Sequence, residues 1–342
     1  MTEKHIGYPR GAWVEWRLPP DERYYRFVDS ISIEVEKKES DNHSYVVRVG
    51  DRVPLKRELF NPVEKNSIQI RTSFMGREII GHTPQWISEK LAPQMDKGTI
   101  FVGWIKSGNM ENRTLQIDIY ERLKIPYNGM LHLVWKDGGF GGTSASVEIS
   151  MRDRKMVYNS FNIPMLSTKP ERSIPITFSP DQWKTFVHPA MTACNFMAWA
   201  DNNRYYNPHI FDGEQWSMKI LQSGLLRRKE KIIRDIFGSN DYPEEWETFR
   251  YFIAACLELY GPQDRKTHYP LRNSIDGEIA FLGEWYGLQQ IKIAEMLGVS
   301  VKEVSEWEKG SSKPDGLTLM KLYELVDAAM QELKMKEPTY ET

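Results

Sequence analysis

The chain of 342 residues is short of several things, and each shortage excludes a class of protein. No window approaches the roughly 18 apolar residues that a membrane-crossing helix needs. The first residues, MTEKHIGYPRGAWVEW, lack the apolar core of a secretory signal. Only two cysteines occur, Cys194 and Cys256, far apart and set in apolar helical patterns. They read as buried thiols of a reducing cytoplasm rather than as a disulfide framework. Neither charge sign is in excess: the formal net charge is −2. A dedicated duplex binder is usually basic, so a nucleic-acid site here has to be a local patch. What is plentiful is aromatic, with 11 tryptophans and 16 tyrosines. Most should build cores, and exposed ones suit stacking or protein contact. At 40% hydrophobic and 27% charged, the chain has enough core for two or three globular domains.

The stretch from Gly50 to Asp96 organises the N-terminal part. Val53 and Leu55 alternate with Arg52 and Lys56, as in a half-buried strand. Asn61-Pro62 breaks it, and Ile68 and Ile70 resume the alternation. Ile79-Ile80 is a short strand stopping at Gly81-His82. Thr83-Pro84 predicts a helix start, with threonine as cap and proline first in the helix. Ile87, Leu91 and Met95 then share one face. Upstream, Ile31, Ile33 and Val35 alternate, EKKESDNH (36–43) is a polar loop tip, and Val46, Val47 and Val49 predict a returning strand. Downstream, IFVGWI and the Ile117/Ile119 pair supply the closing strands.

These residues resemble the HIRAN domain, whose pattern is met by Leu55, Arg57, Glu58, Asn61, Pro62, Asn66, Ile68, Gly76, Ile80, Gly81, His82, Leu91 and Ala92. The resemblance, over roughly residues 27–125 after an arm of residues 1–26, implies a small β-barrel. It also implies that the domain holds single-stranded DNA, in particular a free 3′ end. Carried over by position, the site's acid is Glu64 and its last-strand residue is His82, with Arg57 and Lys65 as phosphate contacts. Where such members have an aromatic, this chain has Val63, and Glu64 is one methylene longer than the usual Asp.

Residues 126–262 form a central α+β region. MLHLVW and SASVEIS are strands around the turn KDGGFGG. Glycines 138, 139, 141 and 142 there read as a hairpin and not a phosphate loop, since no Lys-Ser/Thr and no helix follow. Ser179 caps a helix, Pro189 kinks or restarts it, and Trp216, Met218 and Ile220 alternate as a strand before the turn Ser223-Gly224. Its return carries the densest basic run: Arg227, Arg228, Lys229 and Lys231 are a phosphate track or a solvated face. EEWETFRYFIAACLELY is an amphipathic helix. This region resembles a recurrent small bacterial α+β domain, to which no activity attaches.

Residues 263–274 read as a linker, and the chain is then helical to about residue 336. QQIKIAEMLGVSVKEVSEWEKG (289–310) resembles the helix-turn-helix of the Cro/phage-repressor family. Alanine at 294 lets two helices approach, Gly298 takes the left-handed turn and Val304 plugs the angle between them. The resemblance implies duplex binding through Gln290, Val301, Lys302, Glu303, Ser305 and Glu306. Charge opposes it. From Asp276 to Lys309 there are seven acids (Asp276, Glu278, Glu284, Glu295, Glu303, Glu306, Glu308) against three bases (Lys292, Lys302, Lys309), a net of −4. Acids beside phosphate oppose docking, so contact with a second subunit, as a homodimer, stands beside duplex binding.

No catalytic constellation emerges. His209, Asp212 and Glu214 lie close in sequence, but on a turn entering a strand, where polar residues cap and solvate. Glu36-Lys37-Lys38 fits half of a nuclease pattern on a polar loop tip. No Walker, Ser-His-Asp or deaminase signature is present, and no cofactor or metal is required. The fold expected is multidomain α+β: small β-barrel, central α+β region, all-α helix-turn-helix domain. The function expected is a cytoplasmic, bacterial or phage DNA-binding protein without catalysis, in regulation, repair or phage defence. The alternatives are a nuclease with a central site not visible in sequence, and a protein-interaction scaffold.

Overall fold

The computed structural model describes residues 20–35, 49–61, 63–72, 79–109, 113–126, 131–139, 144–161, 170–199, 205–206, 214–223, 230–239, 241–262 and 274–336. Outside them lie most of the N-terminal arm, the 36–43 loop tip with Val46 and Val47, Pro62, Gly76, Gly141 and Gly142, and Gly224. His209, Asp212, Arg227, Arg228, Lys229 and most of the 263–274 linker lie outside them too. The chain forms two compact units: Met1–Lys124 with Ala200–Phe211 and Ile236–Tyr242, and Ile125–Trp199 with Asp212–Asp235 and Pro243–Thr342.

In the first unit, alternation becomes sheet. Strands β1 (Tyr25–Glu34), β2 (Arg52–Arg57), β3 (Ile68–Arg71), β4 (Ile79–His82), β5 (Phe101–Asn109) and β6 (Thr114–Arg122) pair in the order β1-β6-β5-β2-β3-β4. Ile31, Ile33, Val53, Leu55, Ile117 and Ile119 point into one core. Helix α1 (Gln85–Met95) closes it with Ile87, Leu91 and Ala92, all fully buried. Ile87 and Leu91 each contribute about 1.5–3 kcal/mol by leaving water. The sheet curls into a half-barrel: at Gly81 of β4 a Cβ would sit 3.0 Å from the Glu34 carbonyl oxygen of β1 and 3.1 Å from Ile33 Cδ1, tight contacts that glycine avoids where the strands approach. β3 is buried on both faces, and its two polar residues satisfy each other, Arg71 Nε donating to Gln69 Oε1 at 2.9 Å.

Two local expectations need correction. The helix starts one residue later than Thr83-Pro84 predicts, with Pro84 at the cap position and no side-chain cap. Thr83 is kept in the ladder, its N–H donating to Ile68 O at 3.0 Å, while its hydroxyl lies 2.6 Å from Ser88 Oγ. Val49 is not in a strand; it is an exposed turn residue, and β2 begins at Arg52. Gly50, at φ +89°, turns the chain there.

The second sheet joins β7 (Leu131–Gly139), β8 (Ser144–Ser150), β9 (Lys155–Phe161), β10 (Arg172–Thr177), β11 (Tyr205–Tyr206), β12 (Glu214–Ser223) and β13 (Glu230–Ser239). Their order is β10-β9-β8-β7-β12-β13-β11. Gly138 and Gly139 belong to β7 and pair with Gln215 and Glu214, and β7 and β8 are antiparallel, as a hairpin requires. Ser179 caps α2 (Pro180–Gln182) through a capping box with Gln182. A π-helical turn, Trp183–Val187, leads into α3 (His188–Ala193), with Pro189 in its first turn. Helix α4 (Trp246–Tyr260) packs against the sheet through Trp246 and Phe249, whose rings meet Trp135, Trp199 and Trp216. Both cysteines are free and buried, and burial raises both thiol pKa values well above the ordinary.

Four helices follow: α5 (Ile275–Ala280, continued by a π-helical turn), α6 (Gln290–Leu297), α7 (Val301–Glu308) and α8 (Gly316–Lys336). Helix α8 lies on α4. Tyr251 Oη donates to Asp327 at 2.8 Å, and Lys313 Nζ reaches Glu258 Oε1 at 3.2 Å.

Candidate nucleic-acid interfaces

The first candidate site is the loop between β2 and β3 with the end of β4. Asn61 organises the loop from within. Its carboxamide oxygen accepts from the N–H groups of Val63 (2.9 Å) and Glu64 (2.8 Å), and its Nδ2 donates to Glu58 Oε2 at 2.9 Å. Arg57 holds the loop from below: Nη1 donates to Ser67 O (2.9 Å), Nη2 to Lys65 O (3.2 Å) and Nε to Asp96 Oδ1 (2.9 Å). Expected to meet phosphate, Arg57 thus has its donors committed to loop carbonyls and to the end of α1. Its side chain is only 13% exposed. Glu58 joins loop and strand, for its Oε2 lies 3.4 Å from His82 Nε2. Burial pushes the Glu58 carboxyl up. Hydrogen bonds from Asn61 and Ser67, the nearby His82 and a bond from Gln69 outweigh it and hold the pKa below the ordinary value.

This frame displays the remaining residues. Val63 is 93% exposed at the loop tip, Lys65 is exposed, and Glu64 and His82 are half-buried. The structure therefore brings Glu58, Asn61, Lys65 and His82 to one end of the sheet, with Arg57 beneath. The organising role of Asn61 was readable as an Asn accepting from the N–H groups two and three residues on, whereas that of Glu58 depends on His82 being brought beside it. Two exposed aromatics of this unit, Phe27 (55%) and Trp86 (54%), carried no distinguishing signal in the sequence.

The second candidate site is α6-turn-α7. Gly298 ends α6 at φ +74°, a left-handed conformation in which a Cβ is strained, and its N–H returns to Ala294 O at 2.9 Å. Ala294, Val304 and Trp307 are buried as the motif requires. Val301, Lys302 and Glu303 are exposed, and Ser305 and Glu306 are partly so. The acids, however, have partners. Glu303 Oε2 accepts from Ser300 N–H (2.8 Å) and Oγ (2.7 Å), and Glu303 N–H donates back to Ser300 Oγ at 3.2 Å. This capping box holds the Glu303 pKa below its usual value, through the backbone N–H of Ser300 first and its hydroxyl second. Glu303 is thus turned onto its own helix start. Glu306 lies 3.7 Å from Lys302 and accepts from Ser312 Oγ at 3.3 Å. Gln290 Nε2 donates to Glu308 Oε2 at 2.5 Å. Ser300-x-x-Glu303 is itself a sequence signature, though a groove-facing reading of α7 passes over it.

Of the basic run only Lys231 is described, exposed near the start of β13. Asp212 and His209 lie outside the described residues. Glu214 opens β12 opposite Gly139.

Comparison with known proteins agrees with this architecture. Residues 24–124 match the HIRAN domain and residues 284–332 match the helix-turn-helix family. The chain therefore carries a HIRAN domain and a Cro/repressor-type helix-turn-helix, two modules that support DNA as its partner. A Lactobacillus plantarum protein of known structure is 20% identical, with 28% of this chain and 94% of that one covered and a TM-score of 0.25. The HIRAN domain of human HLTF is 22% identical, with 30% and 81% covered and a TM-score of 0.23. No curated protein matches the chain.

Proposed function

We propose that this chain is a non-catalytic DNA-binding protein in regulation, repair or phage defence. In this reading its HIRAN domain takes single-stranded DNA or a 3′ end on the β2–β3 loop, with Lys65, Glu64 and His82 as contacts. Arg57, Glu58 and Asn61 hold that loop in shape. The carrying observation is the loop's internal bracing, which leaves Val63 and Lys65 projecting from a rigid frame. Preorganisation lowers the entropy cost of binding. The test is a binding panel of single strand, duplex and 3′-overhang DNA at two salt concentrations. Tighter binding to single strand and overhang, weakened by His82→Ala and Lys65→Ala at unchanged melting temperature, is expected. Equal affinity for all three, or no effect of either substitution, removes the reading.

For the helix-turn-helix, a second subunit competes with duplex as the ligand. The net charge of −4 around the motif and the Gln290–Glu308 hydrogen bond favour the subunit. Sedimentation of the full chain with and without duplex separates the two.

A further inference from the structure

The antiparallel order of the first sheet gathers six strand termini at one end: the starts of β1, β5 and β3 and the ends of β6, β2 and β4. The β2–β3 loop and His82 occupy one side of that end. On the other side, beside β1 and β6, lies a groove of about 530 Å³ lined by Pro20, Tyr25, Phe27, Tyr120 and Leu123. Its three aromatics, Tyr25, Phe27 and Tyr120, are joined into a row by Trp104 behind the lining. Phe27 meets Tyr120 edge-on at 5.6 Å, Tyr120 meets Trp104 at 5.4 Å, and Trp104 meets Tyr25 at 4.9 Å. The inner members are backed by one another, and Phe27 offers 55% of its surface to solvent.

Between loop and groove the Asp96 carboxylate is engaged by Arg57, and two lysines stand beyond it. Lys97 and Lys124 are exposed, and the turn at Gly98 lies against Lys124, whose Nζ would be 3.9 Å from a Cβ there. Several other cations of this unit face carboxylates, Arg26 Glu121, Arg52 Asp241, Arg57 Asp96, Lys90 Asp29 and Lys106 Asp118, while Arg71 meets Gln69 and Arg122 lies over the Tyr25 ring. Among the described residues no carboxylate pairs with Lys65, Lys97 or Lys124. A row of unpaired ammonium groups suits a chain of phosphates. Within the groove, Glu22 and the Arg26–Glu121 pair leave no net positive charge, which suits a base and not a phosphate.

We propose that a single-stranded nucleic acid runs from the β2–β3 loop past Lys65, Lys97 and Lys124 to the groove, where a base stacks on Phe27. The proposal rests on the single-strand reading above and supplies the π-face that Val63 does not offer. From β2 to β1 is three strand spacings, roughly 14 Å, so the second subsite needs several nucleotides beyond the first.

The test uses the full chain and labelled thymidine oligomers of about 4 and about 12 nucleotides, lengths that bracket a small β-barrel site. Phe27→Ala should weaken the longer oligomer by about 5- to 150-fold, the equivalent of one stacked base, and leave the shorter unchanged. Phe27→Tyr should restore binding. Lys97→Ser with Lys124→Ser should flatten the salt slope by about 0.7 for each phosphate no longer neutralised. Wild-type binding of the long oligomer by Phe27→Ala, with Lys65→Ala still impaired, overturns the track and leaves the loop site standing. Equal loss for both oligomers also overturns it, by assigning Phe27 to the loop site. A wild-type chain that binds neither oligomer removes both readings.

Discussion

At the scale of single residues, Glu58 decides most. It braces Asn61, sits beside His82 and keeps a depressed pKa while partly buried. Linkage then has a definite sign. A carboxyl with a folded pKa below its unfolded value contributes stability that is complete above the ordinary 4.5 and is lost as pH falls through the folded value. Melting measured from neutral pH down past that range should therefore fall less steeply in Glu58→Gln than in wild type. Parallel curves would mean that the carboxylate contributes nothing. Asn61→Ala leaves the N–H groups of Val63 and Glu64 without their acceptor. It should cost about 1 kcal/mol in urea unfolding and weaken single-strand binding with it.

At the scale of elements, α7 and α8 carry the testable consequences. Ser300→Ala removes one half of the capping box and should cost about 0.5–2 kcal/mol, read from a lower urea midpoint. Glu306→Arg replaces an acid on the exposed side of α7. If α7 meets duplex, the variant should bind random duplex more tightly, with a salt slope steeper by about 0.9. Glu303→Gln should instead act on stability, because that carboxylate is turned onto the helix start, where negative charge also suits the dipole. Helix α8 begins at Gly316, where a Cβ would lie 2.3 Å from Phe186 Cδ2. Phe186 is itself buried, so Gly316→Ala overpacks the site and should destabilise by about 1–3 kcal/mol in urea. Hydrogen exchange should show α4 and α8 losing protection together.

At the scale of the whole molecule, a net charge of −2 makes any nucleic-acid affinity depend on where the cations lie. The run Arg227, Arg228, Lys229 and Lys231 is the densest in sequence. Replacing all four with serine should lower the salt slope of single-strand binding by about 0.7 for each phosphate that the run neutralises. An unchanged slope would identify the run as a solvated strand face. The helix-turn-helix is also no free appendage: through Tyr251–Asp327 and Lys313–Glu258 it shares a compact unit with the central sheet.

Local periodicity and local sterics were enough for much of this. The alternation of Ile31/Ile33, Val53/Leu55 and Ile117/Ile119 marks β1, β2 and β6, because a strand's side chains change face at each residue whatever it pairs with. The amphipathic stripe of α4 and the Ala294, Gly298 and Val304 set of the helix-turn-helix are equally local. Each depends on a backbone conformation or a helix face a few residues long. The direction of a long polar side chain is not local. Arg57 reads as a phosphate contact until the carbonyls of Lys65 and Ser67 and the carboxylate of Asp96 converge on it. Strand order is not local either. Nothing in the spacing of Phe27, Lys97 and Lys124 says that the start of β1, the turn before β5 and the segment after β6 lie at the same end as His82. Only the pairing β1-β6-β5-β2-β3-β4 brings them there, since each antiparallel step sets a strand start beside a strand end.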